Sequence, residues 1–86
     1  MGGYYICDGK LIGYDTFIKD NEQFHTYHIL MGKPNEYSKL YDNVTHVKIT
    51  QAEQTLKQIK YGQKVYFEHH VDKGRPFFAN VTETQF

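Results

Sequence analysis

From Lys64 to Val71 the chain alternates without a break, with Val65, Phe67, His69 and Val71 against Lys64, Tyr66, Glu68 and His70. A period of two is the mark of a strand with one buried face. The same pattern divides the rest of the chain into extended pieces. Tyr4 to Lys19 is the first, and within it Leu11 to Ile18 is rich in aromatic and β-branched residues. Asp8-Gly9-Lys10 reads as a turn or bend within it, and Gly13 as a bulge or sharp coil. Lys19-Asp20-Asn21-Glu22 is polar and carries turn formers, so it joins this piece to Phe24–Met31 as a hairpin. The faces of that second strand are Phe24, Thr26, His28, Leu30 and His25, Tyr27, Ile29, Met31, and periodicity does not say which is buried. Gly32-Lys33-Pro34-Asn35 breaks the pattern, and Glu36 to Asp42 is an aromatic-studded loop. A third strand follows from Asn43 to Ile49, with Thr45, Val47 and Ile49 opposed to Val44, His46 and Lys48. After Lys64–Val71, the turn Asp72-Lys73-Gly74 leads into a last strand, Pro76–Thr82. There Phe77, Ala79 and Val81 oppose Phe78, Asn80 and Thr82.

Between the third and fourth strands, Thr50 is an N-cap candidate and Glu53, three residues on, completes a capping box. Ala52, Leu56 and Ile59 make one apolar stripe, Gly62 stands at the C-cap position, and Lys57 and Lys60 suit the last turns. These signals predict a short helix between strands three and four. Residues 1–86 are too few for two cores, so the chain is one domain. An all-β chain of five strands with that helix has the order of the OB-fold, a small Greek-key barrel. Leu56 and Ile59 would plug one end of it. An SH3-like barrel is the rival architecture.

Charge and composition narrow the function. Ten Lys and Arg balance ten Asp and Glu, so the chain lacks the overall basicity of a duplex-DNA binder. The balance is uneven, however, and Lys57 to Arg75 holds five cations and two acids. No apolar run approaches the ~20 residues of a membrane span and no signal peptide is visible, which points to a soluble, cytoplasmic protein. Cys7 is the one cysteine, so neither a disulfide framework nor a Cys-rich zinc site is expected. His25 and His28 fall on opposite strand faces, as do His69 and His70, which argues against a metal site. With no phosphate loop, nucleophile elbow or paired carboxylates, the expectation is a protein that is not an enzyme and uses no cofactor.

The remaining constellation is aromatic and basic. Eight Tyr and six Phe accompany no Trp. Unstacked bases of a single strand lie flat on such rings, while Lys and Arg hold the phosphates. OB-folds place that platform on the outer face of strands two and three, with adjacent loops as walls. Here the nucleic-acid-binding candidates are Phe24 and His28 on strand two, His46 and Lys48 on strand three, and Lys19 at the hairpin tip. Tyr37 and Tyr41 lie in the neighbouring loop, and Lys73 and Arg75 form the opposite wall. Tyr14, Tyr27, Phe67 and Phe77 are assigned to the core. Phe24 turns outward if Tyr27, Ile29 and Met31 are buried.

Leu-Ile-Gly-Tyr-Asp-Thr-Phe-Ile-Lys followed by Gln-Phe-His-Thr-Tyr-His-Ile-Leu resembles the opening hairpin of small phage and plasmid OB-fold proteins that bind single-stranded DNA. Tyr-Gly-Gln-Lys-Val-Tyr-Phe and Lys-Gly-Arg-Pro-Phe-Phe resemble their fourth strand and final hairpin. The resemblance implies a homodimer that coats single strands in replication or conjugative transfer. It also implies a hairpin aromatic at Phe24 and cationic partners at Lys19, Lys33 and Arg75. The neutral charge departs from the more basic members of that group and bears on affinity. Unpaired strand edges also favour a homodimer. The alternative function is a small OB-like interaction module docking on a host protein, motivated by zero net charge and by Tyr37 and Tyr41.

Overall fold

The computed structural model describes residues 3–31, 46–72 and 75–84. The hairpin begins with Asp20 and Asn21, at φ 52° and 63°. Two consecutive positive φ values make the two-residue turn whose twist matches a right-handed strand pair, and Asn and Asp tolerate that region best. The turn closes on the pair Lys19–Glu22 and so sets the register of β1 (Gly3–Lys19) against β2 (Glu22–Met31). With β3 (His46–Gln51), β4 (Lys64–Asp72) and β5 (Arg75–Thr82), they form one antiparallel sheet in the order β3-β2-β1-β4-β5. The chain is therefore all-β.

β1 organises the sheet because both neighbours share it. Its first half pairs with β4, from Gly3–Val71 to Lys10–Lys64, and its second half with β2, from Gly9–Met31 to Lys19–Glu22. A straight strand of its 17 residues would run about 50 Å. The longest extent of the fold is 36 Å, so β1 must bend. The bend lies beside the expected glycine: Leu11 faces Ile29 and Gly13 faces His28, leaving Ile12 as an extra, exposed bulge residue. The turn or bend expected at Asp8-Gly9-Lys10 is instead continuous strand. Gly9 fits because a side chain there would begin 2.6 Å from the Leu30 carbonyl oxygen.

The buried face holds Cys7, Leu11, Tyr27, Ile29, Val47, Ile49, Val65, Phe67 and Val81, with Leu56 from the connection after β3. Tyr14, Met31, Ile59 and Phe78 pack against them. The inner face of β2 is thus the one carrying Tyr27, Ile29 and Met31. Burial and the neighbouring Asp8 carboxylate push the Cys7 thiol above its ordinary pKa.

Three further expectations need correction. Residues 52–63 are not helical, although Leu56 and Ile59 do pack into the core as anticipated. Thr50 remains on β3, where its hydroxyl bonds that of Thr26 at 3.0 Å, so it is not free to cap. Gln51 Nε2 donates to the Glu53 carbonyl at 2.9 Å, and Gln54 Oε1 accepts from the Tyr27 hydroxyl and the Leu56 amide. Gly62, at φ 90°, serves a turn closed by Gln63 N–H to Lys60 O rather than a C-cap. A helix this short is marginal by itself, so these tertiary bonds decide.

Second, the ladder does not close into a barrel. Among the described residues, no backbone pairing joins the edge strands β3 and β5. Side chains bridge the gap: Gln51 Oε1 on β3 accepts from Val81 N–H at 3.2 Å, and the hydroxyl of Thr55, in the connection after β3, donates to the Val81 carbonyl. Third, Phe77 is half exposed rather than core. Asn80, at φ 59°, forms a bulge opposite β4, and the altered register puts Phe78 and Val81 on the inner side. The loop Glu36–Asp42 and the Lys73-Gly74 part of the last turn lie outside the described residues. No helix among the described residues is long and apolar enough to cross a membrane.

Candidate nucleic-acid interface

Burial of Tyr27 and Ile29 turns Phe24 and His28 to the outer face of β2, and burial of Val47 and Ile49 does the same for His46 and Lys48 on β3. Register then decides which of these meet. Phe24 lies opposite Phe17, and their rings stack at 5.4 Å with planes 19° apart. Phe17 is 44% exposed, so this stack keeps an open surface. His28 faces Lys48 across β2–β3, and its ring is 5.7 Å from that of His46. Its Nε2 stands 3.3 Å from Asp15 Oδ2, an ion pair when the imidazole is protonated. Gly13 lets the ring lie flat: a Cβ there would fall 3.2 Å from His28 Cδ2.

Between the Phe pair and the His pair sits Thr26, buried and bonded to Thr50. The outer face of β1–β2–β3 thus carries, in succession, a two-ring stack, a neutral hydroxyl pair, and a His28–His46–Lys48 group. Lys19 is exposed at the end of β1 beside the stack. Such a surface offers π-faces to planar groups and cations to anions, and it also carries two acids, Asp15 beside His28 and Glu22 opposite Lys19.

Five of the sequence candidates, Phe24, His28, His46, Lys48 and Lys19, therefore share one face. Arg75 lies elsewhere, on β5 opposite Asp72, at the Gly3 end of β1 rather than the Phe17 end. Lys33, Tyr37, Tyr41 and Lys73 lie outside the described residues. Tyr14 and Tyr27 turn inward, where Tyr14 shares a 2.6 Å hydrogen bond with His25 Nδ1.

Two groups escaped the sequence reading. Phe17 could have been found from the turn alone, since a two-residue loop at Asp20-Asn21 places it opposite Phe24. The second is a row of rings across β1, β4 and β5. Tyr4 stacks on His70 at 5.2 Å, and His70 on Phe77 at 4.6 Å with planes only 6° apart. Glu68 Oε1 holds this row in place through His70 Nε2 at 2.7 Å and Asn80 Nδ2 at 2.8 Å. On the inner side His69 stacks on Phe78, and burial lowers its pKa, with His70 adding to the effect. Comparison with known proteins finds no matching family model, no matching curated protein and no matching solved structure.

Proposed function

We propose that the chain binds single-stranded DNA without sequence preference, on the outer face of β1–β3. Its role in the cytoplasm would be to coat strands during phage or plasmid replication or transfer. The observation that carries this reading is the exposed Phe17–Phe24 stack beside His28, His46 and Lys48. Bases extend the stack and the cations take up phosphate, so no base edge is read and sequence matters little. The strand order β3-β2-β1-β4-β5, with a long bent β1 shared by two neighbours, supports an OB-fold-like but only partly closed barrel, its β3–β5 seam bridged by side chains instead of backbone pairing. Homodimer formation through a strand edge is part of the same proposal. Light scattering at high micromolar concentration tests it, and a monomeric mass removes it.

The binding test is fluorescence anisotropy of a labelled oligothymidine about 20 nucleotides long, at 50 and 200 mM salt. Engagement of about three phosphates weakens binding roughly 20-fold between those salts. Phe24→Ala lowers affinity about 5- to 150-fold. Absence of binding at 50 mM overturns the proposal. The alternative, a module docking on a host protein, is favoured by the zero net charge and predicts an interaction that salt hardly changes.

A further inference from the structure

The register allows the outer face to be followed strand by strand beyond β2. His46 faces Leu30, Leu30 faces Lys10, and Lys10 faces Lys64, so one row crosses β3, β2, β1 and β4. Two lysines directly opposite one another repel. Only Lys64 has an ion-pair partner among the described residues, Asp8 Oδ2 at 3.2 Å, which leaves Lys10 exposed and uncompensated. Both lysines line a shallow cleft of about 280 Å³ with Asp8, Gly9 and Gly62. Past this cleft, along the first half of β1, lies the Tyr4–His70–Phe77 row.

That row has the shape of a stacking platform. His70 and Phe77 are nearly parallel, Tyr4 is inclined 29° to His70, and the terminal rings remain open, Tyr4 at 56% and Phe77 at 49% exposure. Phe77 sits on the edge strand β5, with no further strand paired beyond it among the described residues. Tyr4 precedes the part of β1 that pairs with β2, so β2 does not flank it. Two open ring clusters near the ends of one strand, with Lys10 unpaired between them among the described residues and Asp8 taken up by Lys64, match a ligand whose planar groups are joined by anions.

We infer that the binding surface continues from Phe17–Phe24 across the Lys10–Lys64 cleft to a second stacking platform at Tyr4–His70–Phe77, and that one single strand occupies both. This rests on the single-strand function proposed above and extends it to the length of strand engaged. Along β1 the two platforms are separated by roughly 40 Å of strand contour, so a short oligonucleotide reaches only one of them.

The experiment compares oligothymidines of about 4 and about 16 nucleotides, the range of site sizes for such folds. Wild type, Phe24→Ala, the double variant Tyr4→Ala/Phe77→Ala, and Lys10→Glu are titrated by anisotropy at 50 mM salt, with circular dichroism confirming the fold. Lys10 is exposed, so its variant reports on the track without disturbing packing. The expected result is a 5- to 150-fold loss for the long strand in the double variant, a clear loss in Lys10→Glu, and no more than about a two-fold change for the short strand in either. Long-strand affinity within two-fold of wild type in both variants, with Phe24→Ala still impaired, overturns the extension alone. Failure of the wild type to bind either length overturns the proposed function with it. If the double variant turns a dimer into a monomer while long-strand affinity is unchanged, the row is a self-association face and the extension is wrong.

Discussion

The two halves of β1 carry ring clusters built by the same device but held together by different parts of the chain. In the second half, Phe17 meets Phe24 across a two-residue turn, seven positions apart in sequence. In the first half, His70 meets Phe77 just as locally, across β4–β5, but Tyr4 joins them only through the β1–β4 pairing, which spans most of the chain. The local cluster sits beside the Lys19–Glu22 pair at the turn, whereas the distant one is fixed by a carboxylate, Glu68, at the base of His70. Local pairing needs only the turn to be right. Long-range pairing needs the whole core to be right first, because loop closure must be offset before those contacts form.

Perturbing each route separately tests that contrast. The largest effect is expected from Phe67→Ala, which empties a fully buried position on β4. A loss of about 3–5 kcal/mol in urea unfolding follows, and the Tyr4–His70–Phe77 row should disappear with it. Retention of that row in a destabilised protein would break the comparison. Next comes Gly9→Ala, at the point where β1 passes from β4 to β2. Its Cβ would meet the Leu30 backbone, and a cost of about 1–3 kcal/mol is expected, shared by both halves. Asn21→Ala forces a positive φ on alanine and should cost about 1 kcal/mol, whereas Asn21→Gly should be tolerated. Amide exchange should place that loss in the β1–β2 hairpin and leave β4–β5 protected.

The smallest effect is a pH dependence confined to the first half. His69 has a lowered pKa in the folded protein, so below the ordinary value of 6.5 the unfolded chain binds the proton more readily. Stability is therefore full above that pH and falls on acidification toward the folded-state pKa. Urea midpoints at pH 7.5 and 5.5 should show the drop in wild type and a smaller one in His69→Phe. An equal drop in both would assign the acid sensitivity to another group.

The same contrast explains how much was legible beforehand. The alternation on β4, the hairpin at Asp20-Asn21 and the bulge beside Gly13 are local patterns, and each is seen in the structure. Phe24, His28, His46 and Lys48 followed once the inner face of β2 was known. The helix signals from Thr50 to Gly62 were equally local, yet Thr26, Tyr27 and Val81 recruit Thr50, Gln54, Gln51 and Thr55 into bonds that helix formation would have to break. No pattern within residues 50–62 reveals those partners. Phe77 was misplaced for a similar reason. Strict alternation puts it with Val81, and only the left-handed Asn80 removes it from that face.

Burial of Cys7 gives the molecule a built-in clock. The thiol lies where β1 and β4 are paired, shielded from reagent and held protonated by its surroundings. Alkylation must wait until those two strands part. Its rate under native conditions therefore counts how often the long shared strand leaves the sheet, and slowing of that rate by a bound ligand would measure how firmly the ligand locks β1 in place.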